Sequence, residues 1–351
     1  MSQGLSNIGR KTFNAYLDNV ARLNGVARAT EQFAVDPSIQ QKLESAIQQS
    51  SAFLGSVNSY GVDQQTGERI GLSIGSTIAG RTDTTVADRT PTDPSSLANI
   101  QYACVQTNFD TALRYAKLDQ WAKFHDFQVR ISKGIAEQIG RDRLMIGWNG
   151  QSAAATTNRV ANPLLQDVNI GWLKKLQTNA PARHMHEGAV ANKIRVGAGG
   201  DYANLDELVH DMRTSLLQPW YARDNTFCAC VSSDLLDEKY FPMIASHGAT
   251  PTEVLALDMM LSAKKLGGLH PAEIPFFPSR SIFITKLGPQ GDSNLSIYWQ
   301  NGSRRHTFID NAKRDQYELY QSVSEAYEIE DYGAACAAVN IVFPDGAGGW
   351  A

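Results

Sequence analysis

The chain has 351 residues, with 32 basic against 36 acidic side chains, a net charge of −4 and only 19% of its residues charged. No apolar run approaches the ~20 residues that span a bilayer, the hydrophobic content is too high for intrinsic disorder, and the charge argues against a strongly basic nucleic-acid binder. What remains is the expectation of a soluble, globular, charge-poor protein of two or three domains, long enough to bury its own core without disulfides.

Charge is unevenly spread. Residues 1–30 hold Arg10, Lys11, Arg22 and Arg28 against Asp18, a local +3, which leaves −7 on the remainder. Phe13, Leu17, Val20 and Leu23 recur at helical spacing up to Asn24-Gly25, so a short amphipathic helix is expected there. The segment lacks a secretory core, and its basic, acid-poor character fits either a transit-like leader or a helix that docks on a partner. Asp36 can cap a second helix, with Pro37 in its first position and Ile39, Leu43 and Ile47 along one face. Two helices ahead of any sheet suggest a detachable arm.

Between about Asn58 and Ala112 the texture becomes rich in glycine, threonine and aspartate, with Ile70, Leu72 and Ile74 alternating. A period of two over a segment with no core-forming face predicts a long projecting β-hairpin. From about Lys117 to Gly147, Leu118, Trp121, Phe124, Phe127, Ile131, Ile135 and Ile139 step by three and four, predicting a spine helix of about 45 Å. Leu205, Leu208, Val209, Met212 and Leu216 mark a further helix with Asn204 and Glu207 as a capping pair. Another helix is expected from Thr250-Pro251 to Gly267-Gly268. Phe227–Val231, Ser281–Thr285, Asn294–Trp299, Arg305–Ile309 and Cys336–Phe343 are strand candidates, so the expected fold class is α+β.

Catalytic signatures are weak. Gly71-Leu-Ser-Ile-Gly75 matches a nucleophile elbow in letters, but a glycine-rich alternating stretch follows Ser73 where a helix is required. Gly197-Ala-Gly-Gly200 fails the dinucleotide pattern because Tyr202 occupies the third glycine position, and a tight turn is the better account. His184 and His186 lack a third ligand, and a solvated loop is expected there. Cys104, Cys228, Cys230 and Cys336 are scattered without a Cys-x-x-Cys pair, which points to a reducing compartment. On a strand Cys228 and Cys230 would share a face, where small core side chains are expected rather than ligands. Glu328 and Glu330-Asp331 read as an acidic surface patch with no companion base. No catalytic, cofactor-binding or metal-binding residue is therefore assigned. A serine hydrolase centred on Ser73, and a metal- or small-molecule-binding oligomeric module at His184, His186 or the cysteine pair, stand as the alternatives.

Short blocks in order carry a further signal. Phe13-Asn-Ala-Tyr-Leu17, Glu68-Arg-Ile-Gly71, Leu118-Asp-Gln-Trp121, Asn162-Pro-Leu-Leu-Gln-Asp167, Gly199-Gly-Asp-Tyr-Ala203, Gln218-Pro-Trp-Tyr221, Lys239-Tyr-Phe-Pro242, Asn294-Leu-Ser-Ile-Tyr298 and Glu330-Asp-Tyr332 resemble the major capsid proteins of peduovirus-type, contractile-tailed bacteriophages. The likeness runs from about residue 13 to about residue 340. It implies an HK97-like fold: a basic segment 1–33 open to removal on maturation, an N-terminal arm over 34–57 and an extended loop over 58–112. A peripheral domain with the spine helix over 113–200, an axial domain over 201–320 and a return to the periphery over 321–351 would follow. It also implies self-assembly into hexamers and pentamers of an icosahedral head around double-stranded DNA, bound without sequence specificity. Scaffold, maturation protease and portal would be partners and no membrane would be involved. The site of action would be the virion, with assembly in the host cytoplasm. A cut near Gln32–Val35 is expected, just ahead of the capped second helix.

Overall fold

Helix α1 (Asn7–Leu23) ends where Asn24-Gly25 predicts, with Gly25 at φ +64°, a left-handed conformation that glycine adopts without a Cβ clash. The computed structural model describes residues 7–74, 79–91, 95–121, 127–246, 265–345 and 349–350. Strand β1 (Phe33–Ala34) leads into α2 (Pro37–Gln48), whose cap is the expected one. The Ser38 amide and hydroxyl donate to Asp36 Oδ1 at 2.8 and 2.6 Å. The arm is not free, however. Phe13 is 1% exposed and stacks at 4.0 Å on Tyr317, because the apolar stripe that makes the helix amphipathic finds its partner on the body of the same chain.

Two larger sheets organise the body. In the first, β14 (Gln316–Ile329) is the axis, flanked antiparallel by β13 (Arg305–Asn311) and β12 (Leu295–Gln300). Strand β1 pairs with β13, and β2 (Asn58–Val62) runs parallel to β12. Strands β5 (Val105–Asn108) and β6 (Thr111–Arg114) also pair with β14. In the second sheet the order is β10 (His270–Glu273), β9 (Phe227–Val231), β11 (Ile282–Lys286), β15 (Ala335–Ala338) and β7 (His184–Met185). Four of the expected strands thus reappear as β9, β11, β12 and β13. The expected strand over Cys336–Phe343 is two strands, β15 and β16 (Ile341–Val342), because Asn340 between them takes φ +61°. Strand β16 pairs with β8 (Ile194–Arg195), and β3 (Thr66–Ile74) with β4 (Ser95–Ala103).

The spine is described as α3 (Tyr115–Trp121) and α4 (Phe127–Asn149), with 122–126 outside the described residues. Ile131, Ile139, Ile146 and Trp148 of α4 are buried. Trp148 lies 5.1 Å from Trp172, which opens α5 (Trp172–Asn179), and 5.4 Å from Phe283 of β11, while Trp172 meets Tyr327 of β14 at 5.5 Å. These rings join the two sheets into one core. Gly147 permits the contact, since a Cβ there would sit 2.3 Å from Trp172 Cζ3. Asn204 caps α6 (Leu205–Asp211), accepting from the Glu207 amide at 2.9 Å, and a π-turn over Met212–Leu216 extends it. Helix α7 (Ser233–Ser246) and α5 carry no strong terminal signals and were not anticipated. The helix expected from Thr250 falls mainly on 247–264, outside the described residues, though Gly267 and Gly268 at its end do take φ of +55° and +86°.

Candidate assembly surfaces

The β3–β4 ribbon pairs antiparallel from Thr66↔Ala103 to Ile74↔Ser95 and forms a sheet of its own. Nine residues per strand reach about 30 Å. Its base is fastened. The Cys104 amide donates to the Gln65 carbonyl at 2.8 Å, and the Tyr102 ring meets Tyr298 of β12 edge-on at 5.3 Å. The register pairs Ile70 with Asn99, Leu72 with Leu97 and Ile74 with Ser95. Residues 79–91 beyond the ribbon are exposed throughout. There the Thr85 amide and hydroxyl donate to Asp83 Oδ1 at 3.0 and 2.6 Å, which holds that carboxyl below its usual range.

At the N-terminal junction, Thr30, Glu31 and Gln32 are exposed between buried Ala29 and buried Phe33. The surface is therefore continuous with an accessible stretch of backbone immediately ahead of β1.

A buried charge network lies beneath α2. Arg143 of α4 donates to Glu44 Oε2 at 2.6 Å and to Glu325 Oε1 at 2.5 Å, and Arg304 reaches Glu44 Oε1 at 2.5 Å. Burial pushes the Glu44 carboxyl up, but Arg143 and Arg304 outweigh it and hold it below its usual range. The network ties the arm, the spine helix and the axial strand β14 together. It was not read from the sequence, since Glu44 and Glu325 are 281 positions apart and no local pattern links them.

The residues weighed for chemistry are dispersed. Ser73 lies within β3 opposite Ser96, the strand includes Ile74, and residues 75–78, where the helix of an elbow would begin, lie outside the described residues. Gly197 and Gly199 take φ of +137° and +78° in a turn closed by the Gly200 amide on the Gly197 carbonyl at 2.9 Å. His184 and His186 stack at 6.0 Å, but His184 is buried on β7 rather than in a solvated loop, and burial followed by the His186 charge lowers its pKa. Cys230 is fully buried between the sheets and Cys228 is half-buried on the same strand. Burial first, then the Glu325 and Glu328 charges, pushes the Cys104 thiol up to about 12. Among the described residues no group of three metal-ligating side chains occurs. Glu328, Glu330 and Asp331 do not form the exposed acidic patch expected of them. Glu328 is 0% exposed and paired with Lys175 Nζ at 2.7 Å, Glu330 accepts from Tyr298 Oη at 2.8 Å, and Asp331 accepts from Tyr221 Oη at 2.9 Å. Strand β14 is covered on both faces at this end, so its acids point into packed structure.

Comparison with known proteins meets the same geometry. Residues 12–341 match the family model described as phage major capsid protein, P2 family. The chain is 42% identical to the capsid protein of Escherichia phage P2 over 345 residues, covering 96% of this chain and 95% of that one. It is 36% identical to the major capsid protein of Serratia phage KSP20 over 349 residues, covering 97% of each. Its backbone is similar to a subunit of the satellite phage P4 procapsid, solved with its size determination (Sid) protein, with a TM-score of 0.79 and 38% identity over 97% of this chain and 99% of that one. A gene-transfer-agent (GTA) capsid subunit shares the fold at a TM-score of 0.50 and 14% identity, over 82% and 89% of the two chains. A body of two sheets with a separate β-ribbon accords with these relatives, and the chain belongs to the P2 family of phage major capsid proteins: a non-enzymatic virion component with the HK97-like fold, forming the procapsid shell.

Proposed function

We propose that the β3–β4 ribbon is the clasp by which one subunit grips the next. The observation that carries this is the separateness of the ribbon from both larger sheets. A two-stranded ribbon is marginal in water by itself, and its outer strand edges gain partners when laid along a neighbouring copy. The low charge supports this reading, because interface centres are depleted of charged residues.

On the same reading, residues 58–112 are the extended loop, 34–57 the arm, 113–200 the peripheral domain, 201–320 the axial domain and 321–351 the return. Subunits close as hexamers and pentamers around double-stranded DNA, which a net charge of −4 leaves free of tight phosphate adsorption. A scaffold, a maturation protease and a portal complete the partners, and a size-determining protein of the kind present in the P4 procapsid is a further one. The segment 1–33 is removed near Gln32–Val35, and the exposure of Thr30–Gln32 supports access there.

Replacing residues 66–103 by a short glycine-serine link tests the clasp. The base hydrogen bonds between Gln65 and Cys104 leave the body closed, so circular dichroism of the subunit is expected to be retained while negative-stain microscopy shows no rings or shells. Closed particles from the deleted chain would refute it.

A further inference from the structure

We infer that α1 is a dissociable ligand of its own subunit, an amphipathic peptide seated on an apolar face of β13, β14, α3 and α4. The inference rests on the proposed cut near Gln32–Val35 for its biological use, though not for its physical basis. Phe13 stacks on Tyr317 at 4.0 Å and meets Phe308 at 6.5 Å, and Tyr16 meets Phe308 edge-on at 5.7 Å. Val20 completes the i, i+3, i+7 series by which an amphipathic helix fills a groove. Lys11 and Arg22 are exposed on the opposite side, and exposed Arg10 lies near enough for its charge to act on Tyr317, so the seat is chiefly rings and aliphatic groups.

The body beneath keeps its own hydrogen bonds when α1 leaves. Strand β13 is paired along its length with Gln316–Ser322 of β14, and α1 adds no strand to either. Among the bonds that reach the leaving segment from the body, the Phe308 amide donates to the Ala29 carbonyl at 3.1 Å, the Asp36 amide donates to Asn24 Oδ1 at 3.2 Å, and the side chains of Tyr16 and Ser132 are hydrogen-bonded to each other. Strand β1 follows the exposed junction and stays on β13. While the chain is intact, the short link keeps α1 near its seat at an effective concentration of order millimolar. A cut converts that into an ordinary bimolecular equilibrium. Cutting and release thereby become separate events, and release uncovers Phe308, Tyr317 and Leu319.

The test uses the full chain with a recognition sequence for a sequence-specific protease placed between Glu31 and Gln32. The folded protein is cut and then followed by gel filtration and native mass spectrometry over a dilution series. Co-elution of the 1–31 fragment at high concentration, with release on dilution and an unchanged circular dichroism spectrum of the body, is expected. Phe13→Ala should weaken retention by on the order of 100-fold, and Phe13→Leu by less should the alanine variant fail to fold. Asn14→Ala, at an exposed position, should leave retention unchanged. Loss of the wild-type fragment at every concentration, retention indifferent to Phe13, or unfolding of the body on release would each overturn the inference. The natural cut is read separately, from the intact mass of mature particles. A full-length mass there, with a dilution-sensitive fragment here, would remove the cut and leave the ligand.

Discussion

Arg143 offers a quantitative test of how the arm is fixed to the shell body. It is 2% exposed, and its guanidinium spans Glu44 of α2 and Glu325 of β14 at 2.6 and 2.5 Å. Arg143→Met leaves two buried carboxylates against one cation. Glu44 keeps Arg304 at 2.5 Å, whereas Glu325 is left with the Tyr327 hydroxyl at 3.3 Å. Stranding a buried charge costs about 3–5 kcal/mol, a large share of the ~5–15 kcal/mol by which domains are stable. Adding Glu325→Gln removes the stranded charge and should recover about 1–3 kcal/mol as a coupling energy. A carboxyl held low in the folded state contributes stability above its unfolded pKa and loses it as pH falls. Arg143→Met weakens that hold on Glu44, so its contribution near neutral pH should shrink. Urea unfolding of the unassembled subunit, followed by fluorescence of buried Trp148 and Trp172, measures each term. A loss below about 1 kcal/mol for Arg143→Met, or no recovery in the double variant, would refute the reasoning.

Two further perturbations follow from the packing. Gly147→Ala places a methyl 2.3 Å from Trp172 Cζ3 and should destabilise by about 1–3 kcal/mol; Gly134→Ala, in the same helix with open space around it, should stabilise by up to about 1 kcal/mol in thermal unfolding. Burial and then the Arg304 charge depress the pKa of His306 from 6.5 to about 3. Between those values the unfolded chain binds the proton and the folded one does not, so stability should fall with pH by up to about 1.4 kcal/mol per unit. His306→Asn should flatten that slope in unfolding curves taken between about pH 6 and 4; an unchanged slope would remove His306 as its source.

Local signals carried the chain a long way. The Asp36 and Asn204 caps and the Asn24-Gly25 stop depend on contacts within a few residues, and strands β9, β11, β12 and β13 carry short apolar or alternating runs between turn signals, so composition and period suffice to find them. Strand β14, the longest described, was missed. Its period of two runs Tyr317, Leu319, Gln321, Val323, Glu325, Tyr327, Ile329, and the glutamine and glutamate in that row break the apolar alternation. Those polar residues are nevertheless buried, because cations arriving from α4 and α5 compensate the acids.

The sequence by itself determined the class of elements and, through blocks spread over most of the chain, the family. Tertiary structure alone decided that the basic arm is docked rather than loose and that Glu325 and Glu328 lie in the core. It also decided that the two sheets share one aromatic core through Trp148 and Trp172. A buried acid is tolerable only beside its cation, and an amphipathic helix is seated only where a matching face exists. In both cases the partner lies more than a hundred residues away, beyond the reach of any local pattern.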